Sequence, residues 1–292
     1  MTALMHWLAH WPLWLLHSIG AVLGWLTYAA SPSYRKRLLA HADLAGLGAP
    51  ERRASVAQAG RMVAELPWLW LNPPGRRIED WVQWKGAQAL DQAVAQGSGL
   101  ILLTPHLGTF EVCAQAYAQR CGATAPMTAL YRPARQAWLR DVEERNRQRP
   151  GLLTAPANLA GVRQMIRALR RGETVGLLPD QVPPDGLGVW APFFGQPAYT
   201  MTLASRLQQQ TAAPALMIWA QRRPAGQGWV VQVLRPQELL PDAVGLSPAD
   251  INRYMEALIQ LAPDQYLWGY HRYKQPRALP TTASEPDPGV AP

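Results

Sequence analysis

Residues 104–111 read Thr-Pro-His-Leu-Gly-Thr-Phe-Glu and hold the clearest candidate chemistry in the chain. An imidazole titrates near neutral pH, so His106 can take a proton from a hydroxyl nucleophile. A carboxylate on its other ring nitrogen would fix the tautomer and stabilise the imidazolium. Glu111 follows five residues later, and Gly108 permits the tight turn that would bring it back onto the ring. Two further segments offer polar groups. Tyr131-Arg132-Pro133 presents a guanidinium suited to bidentate phosphate binding. Leu178-Pro-Asp180-Gln181 adds an acid and an amide, and Trp190, Phe193 and Phe194 after it could wall a site. Each has a plainer reading: a histidine that caps or packs, an arginine held by a turn proline, aromatics in a core.

The elements that must position these residues follow from hydrophobic pattern. Gly99–Thr104 is a short unbroken apolar run, the mark of a strand buried on both faces. Further strands are expected at 127–131, 152–154, 174–178, 215–220 and 229–234. Helices are expected at 110–119, 135–147, 159–171, 200–210 and 248–261, the last capped by Ser247. Residues 35–66 suit two amphipathic helices, and 179–197, rich in Pro and Gly, suits a loop. The alternation of strand and helix predicts an α/β domain: a mostly parallel central sheet flanked by helices. His106, Arg132 and Asp180 then all fall at carboxyl ends of strands, where open α/β sheets place their ligands.

Composition says where such a domain works. Of 292 residues, 48 % are hydrophobic and only 16 % charged, yet the net charge is +8. The high pI comes from a shortage of acids, and the arginines are dispersed. Both points argue against a nucleic-acid binder and suit an anionic membrane face. Residues 1–34 contain no Asp, Glu, Lys or Arg, and Trp11–Ala30 is long enough to cross a bilayer. Arg35-Lys36-Arg37 follows directly, which places that end in the cytoplasm. Trp7, Trp11, Trp14 and Trp25 suit a membrane–water interface. Residues 1–34 are therefore expected to be a membrane-anchoring helix, either spanning or lying in the interface. Residues 35–275 form the α/β domain, and 276–292, rich in proline, a disordered tail. Cys113 and Cys121 stand in no metal or disulfide-framework spacing, so no metal site is expected and a reduced, cytoplasmic compartment is the simpler reading. The absence of G-x-S-x-G and H-E-x-x-H argues against a serine esterase and a zinc hydrolase.

His106-x4-Glu111, between a strand and a helix, resembles the H-x4-D/E motif of the lysophospholipid acyltransferase superfamily. More narrowly, the chain resembles the lipid A biosynthesis (lauroyl/myristoyl) acyltransferases. The likeness is carried by the uncharged start and basic follow-on, Tyr131-Arg132-Pro133, Asp180-Gln181, Pro192-Phe-Phe-Gly195 with Thr200, and Pro263-Asp-Gln265-Tyr-Leu-Trp268 leading to Arg272-Tyr-Lys274. The chain departs from the family pattern at Pro105, Phe110 and Tyr270-His271-Arg272. The resemblance implies acyl transfer from acyl–acyl carrier protein, or acyl-CoA, to a hydroxyl of an anionic lipid A-type glycolipid. His106 would be the general base and Glu111 its orienting partner, with Arg132, Asp180 and Gln181 binding substrate. No bound cofactor and no covalent acyl-enzyme are implied. The expected place is the cytoplasmic face of a bacterial inner membrane. A lysophospholipid or ornithine-lipid acceptor, or a lipid-binding protein without activity, remain the alternatives.

Overall fold

In strand residues 100–103 every side chain is buried, and the alternation of the strand sends neighbours to opposite faces. Ile101 and Leu103 join one core cluster, Leu100 and Leu102 the other. A sheet with a core on each side is the consequence. The computed structural model describes residues 2–71, 76–131, 149–242 and 245–277. The chain starts with five helices: α1 (Thr2–Ala9), α2 (Leu13–Ala30), α3 (Pro32–Leu44), α4 (Ala49–Ala64) and α5 (Leu66–Trp70). There follow β1 (Val82–Lys85), α6 (Ala87–Ala95), β2 (Leu100–Leu103), α7 (Phe110–Cys121), β3 (Met127–Tyr131), β4 (Leu152–Pro156), α8 (Leu159–Arg170) and β5 (Thr174–Leu177). The chain continues through β6 (Gly188–Phe193), β7 (Gln196–Met201), α9 (Leu203–Thr211), β8 (Ala215–Arg222), β9 (Trp229–Leu234), α10 (Pro236–Leu239) and α11 (Pro248–Leu261).

Seven strands form one sheet in the order β1-β9-β8-β2-β5-β3-β4. β8, β2, β5, β3 and β4 run parallel; β9 turns back against β8, and β1 runs with β9. This is the expected mostly parallel α/β sheet. Helix α7 packs on one face with Val112, Ala116 and Tyr117, and α8 on the other with Met165, Ala168 and Leu169. Because β2 lies beside β5, the loops leaving their carboxyl ends meet. That adjacency positions the site.

The expected loop over 179–197 contains a hairpin instead. β6 and β7 pair antiparallel, Pro192 opposite Pro197, around a turn with positive φ at Phe194 (45°) and Gly195 (72°). Two consecutive positive φ values are what a tight two-residue hairpin turn needs. Prolines that would break a central strand are tolerated in this two-stranded ribbon. Glu256 on α11 accepts the Phe194 N–H at 2.7 Å and holds the strained residue in place. The helix expected from residue 200 begins at Leu203 because β7 takes the first positions. The helix expected at 135–147 and nearly all of the expected tail lie outside the described residues.

The uncharged start of the chain is two helices, broken at Pro12, which lacks an N–H to donate. Among the described helices, α2 is the one long and apolar enough to cross a membrane. One stripe of it is nonetheless closed against the domain. Leu13, Leu16, His17, Gly20 and Gly24 are buried, and α4 runs antiparallel across the glycines. A Cβ on Gly60 would lie 2.7 Å from Gly24 N and closer still to the Gly20 carbonyl oxygen. Arg35 donates to the carbonyls of Tyr28 and Ala29, satisfying the free C-terminal end of α2. Gly60→Leu is expected to push α2 off α4 and cost about 2 kcal/mol or more, read as a lower chemical-denaturation midpoint. An unchanged midpoint would show that the helix crossing is not needed for the fold.

Candidate functional site

The strand β2 ends at Leu103, and the chain turns so that His106 stands over the carboxyl edge of the sheet. Asp180, just beyond β5, reaches it with both carboxylate oxygens. Oδ2 accepts the His106 backbone N–H at 2.9 Å, and Oδ1 bonds the ring Nδ1 at 2.7 Å. Asp180 is 2 % exposed. Burial alone would push its carboxyl up. The charge on His106, the two hydrogen bonds and the nearby Arg272 charge outweigh burial and hold it below the usual carboxylate range. An ionised Asp180 accepts only, so Nδ1 carries a proton, and in the neutral form of the ring Nε2 then presents its lone pair. Gln181 donates its amide N–H to that Nε2 at 2.9 Å. The Phe110 ring lies edge-on to the imidazole, centroids 4.8 Å apart, and closes its apolar side.

The H-x4-E spacing predicts Glu111 as the carboxylate on the imidazole. In the structure Asp180 and Gln181 engage its two ring nitrogens. Glu111, in the first turn of α7, accepts the Trp70 indole N–H at 3.3 Å and attracts Arg149. The reason is topological. A carboxylate leaving the neighbouring strand points across the sheet edge at His106, whereas α7 carries Glu111 toward α5. Asp180 and Gln181 thus sit at the expected place but on the base itself. Arg132 lies outside the described residues. Arg272, part of the late motif, is buried and structural: it donates to the Tyr199 carbonyl (2.7 Å), Thr200 Oγ1 (2.8 Å) and Asn252 Oδ1 (3.2 Å), bracing β7 against α11. Tyr270 accepts the Val182 N–H and secures the loop after Gln181. Among the described residues no group of three or more His, Cys, Asp or Glu gathers as a metal site.

The loop under His106 is fixed from below. Gly108 adopts φ +58°, and any Cβ there would run into the Ala220 carbonyl of β8. Its N–H is bonded to the Gln265 carbonyl and that of Thr109 to Ala220, both at 2.9 Å. Beneath lies a buried ionic cluster that sequence reasoning missed. Glu65 is fully buried and pairs with Arg222, whose Nη2 lies 2.6 Å from Oε1 and Nε 3.0 Å from Oε2. His17 of α2 bonds Oε2 at 3.0 Å, and Thr109 Oγ1 donates to Oε1 at 2.8 Å. Arg222 also reaches Gln58 and the Gly108 carbonyl, and Trp229 donates its indole N–H to Thr109 Oγ1. Burial would raise the Glu65 carboxyl, but the Arg222 charge and the bonds from His17 and Arg222 bring it below its ordinary value. The only sequence signal was a lone acid before the apolar run Leu66–Leu71 and an arginine closing an apolar strand.

Because Glu65 and Asp180 are both depressed, the stability they contribute is present above the ordinary carboxylate range and is lost as pH falls through their folded values. Arg222→Met would strand a buried charge, and a loss of about 3–5 kcal/mol is expected in urea unfolding. Arg120→Met, breaking the partly exposed pair with Asp91, should cost under about 1 kcal/mol. Equal losses would contradict the assignment of Glu65–Arg222 as the pair that matters.

The profile of the bacterial lipid A biosynthesis acyltransferases matches residues 2–275. The chain is 27 % identical to a lipid A biosynthesis lauroyltransferase of Escherichia coli, over 96 % of this chain and 97 % of that protein. It is 27 % identical to a lipid A biosynthesis palmitoleoyltransferase of the same organism, over 72 % and 66 %. It is 25 % identical to a lipid A biosynthesis acyltransferase of Haemophilus influenzae, over 89 % and 84 %. With a match that runs from the first helix to the segment bearing Arg272, the chain belongs to the bacterial lipid A biosynthesis acyltransferases.

Proposed function

We propose that this lipid A acyltransferase uses His106 Nε2 as a general base on a hydroxyl of a lipid A-type glycolipid, with a fatty acyl thioester as donor. The observation that carries this reading is the buried Asp180 on Nδ1, which leaves Nε2 as the proton acceptor at the carboxyl edge of a parallel sheet. The acceptor hydroxyl gives its proton to Nε2 while its oxygen attacks the thioester carbonyl. The tetrahedral intermediate collapses, the C–S bond breaks, and the imidazolium returns the proton to the departing thiolate. An ester and a free thiol result. The ring orientation and the imidazolium are stabilised by Asp180. Gln181 holds the place at Nε2 that the hydroxyl takes, and its amide is then free to bind the acceptor. Glu111, carried by the H-x4-E spacing, is a second carboxylate of the same loop–helix junction, bound to Trp70 rather than to the ring.

Acyl carrier protein is the donor that best suits the charge balance. It is acidic, and this chain carries +8. The acceptor is an anionic membrane lipid, so the catalytic domain would work on the cytoplasmic face of the inner membrane, with the uncharged N-terminal helices as its attachment. The thiols play no covalent part in this scheme. Both cysteines are buried in α7. Burial pushes the Cys113 thiol well above its usual value and that of Cys121 up to about 11.

His106→Ala and Asp180→Asn are each expected to lower kcat about a thousandfold with the fold retained. Full activity in the His106 variant would end the general-base reading. Which carboxylate orients the ring is read by NMR of selectively labelled histidine. The Nδ1–H tautomer of His106 should survive in Glu111→Gln and be lost in Asp180→Asn; the reverse would return the ring to Glu111. Mixing the enzyme with acyl thioester alone should leave its intact mass unchanged, and a stoichiometric acyl adduct would replace direct attack with a covalent intermediate.

A further inference from the structure

We infer that α1 and α2 dock the protein flat on an anionic lipid surface, as an in-plane anchor with both ends of α2 on the same side of the bilayer; this deepens the reading above and rests on its membrane-lipid acceptor.

The two sides of α2 differ. One stripe, at 13, 16, 17, 20 and 24, is sealed against the protein. Gly20 and Gly24 meet Gly60 of α4 backbone to backbone, His17 bonds Glu65, and Gly226 packs on the backbone of Leu13 and Trp14. The opposite side carries Trp14, Ile19, Val22, Leu23, Trp25 and Leu26, each between 37 % and 59 % exposed. Leu4 and Trp7 of α1 are also exposed. Soluble monomers rarely leave an apolar surface of this kind open, and indole rings are favoured where hydrocarbon meets water.

An upright, spanning α2 conflicts with its own packing. α4 runs antiparallel alongside it and carries Glu51, Arg52, Arg53 and Arg61. The Glu65–Arg222 pair lies at the same level as His17. A helix crossing the bilayer in this arrangement would drag those charges into hydrocarbon, which has no water to hydrate them. A helix lying in the interface keeps every one of these contacts and still buries its outer face. The sign of the surface follows from charge. Residues 1–34 carry none, and Arg35, Lys36 and Arg37 come immediately after α2. The placement also suits the chemistry. The start of α2 rests on the turn after β8, the strand whose end holds Gly108 and Thr109. The lipid surface would thus lie beside the loop that carries His106.

Two measurements on the full chain test this. Single cysteines are placed at exposed positions just outside the two ends of α2, His10→Cys before it and Ser33→Cys at the start of α3, where the buried Cys113 and Cys121 give little background. A membrane-impermeant maleimide should label both sites in inverted inner-membrane vesicles and neither in right-side-out spheroplasts. Labelling of the two sites from opposite sides would establish a spanning helix and overturn the inference. In flotation with phosphatidylethanolamine–phosphatidylglycerol vesicles, the triple variant Trp14→Asp, Leu23→Asp, Leu26→Asp should lose at least tenfold of its vesicle-bound fraction, with its circular dichroism unchanged. Retained binding would overturn the inference. So would conversion of a stable dimer to a monomer by the same variant without lipid, since the face would then belong to a second copy. None of these readouts involves acyl transfer, so they stand or fall apart from the catalytic reading.

Discussion

The buried pair of Glu65 and Arg222 is the interaction on which the rest of the arrangement depends. Two charges taken out of water are costly unless every lone pair and proton finds a partner. Here each partner comes from a different part of the chain: His17 from α2, Gln58 from α4, Gly108 and Thr109 from the loop under His106, and Gln265 on the Arg222 backbone. The cluster therefore does two things at once. It ties the uncharged N-terminal helices to the sheet, and it fixes the floor of the loop that presents the imidazole. Removing one member leaves the others both unpaired and displaced.

Above that floor the chemistry is simple. A parallel sheet places the ends of β2 and β5 side by side. One end supplies His106 and the other Asp180. Because Asp180 binds both the backbone N–H and the ring of the same histidine, loop position and tautomer are set by one carboxylate. Gln181 follows directly and guards the free nitrogen. Arg272 and Tyr270 stabilise the walls from behind, through β7 and the loop after Gln181. The candidate site is thus an edge of the sheet with a second layer of ordered loops, tied through the Glu65–Arg222 cluster to the uncharged N-terminal helices.

Much of this was legible in the sequence. The short apolar run before Thr104 announced a doubly buried strand and put His106 at its end. Strands 127–131 and 229–234 and helix 248–261 stand where pattern places them, and Ser247 caps the last of these at 3.1 Å to the Asp250 N–H. What failed was non-local. His106 and Glu111 are neighbours in sequence, but strand order decides which acid meets the ring, and strand order is not written in local spacing. The hairpin at 188–201 was hidden by prolines that a two-stranded ribbon tolerates. Trp7, Trp14 and Trp25, read as interfacial from the uncharged segment they share, are exposed, whereas Trp68 and Trp70 are core. Glu65 and Arg222 looked like isolated charges because their partners lie 157 positions apart.

The proposed reaction is acyl transfer to a lipid A-type acceptor, with His106 as base and Asp180 orienting it. It is tested most directly by mass spectrometry of lipid A from cells lacking this protein, restored with either the unaltered chain or the Asp180→Asn variant. Lipid A one acyl chain short in the deleted strain, completed by the unaltered chain and left short by the variant, is the predicted result. Lipid A of the same mass in all three strains would contradict it.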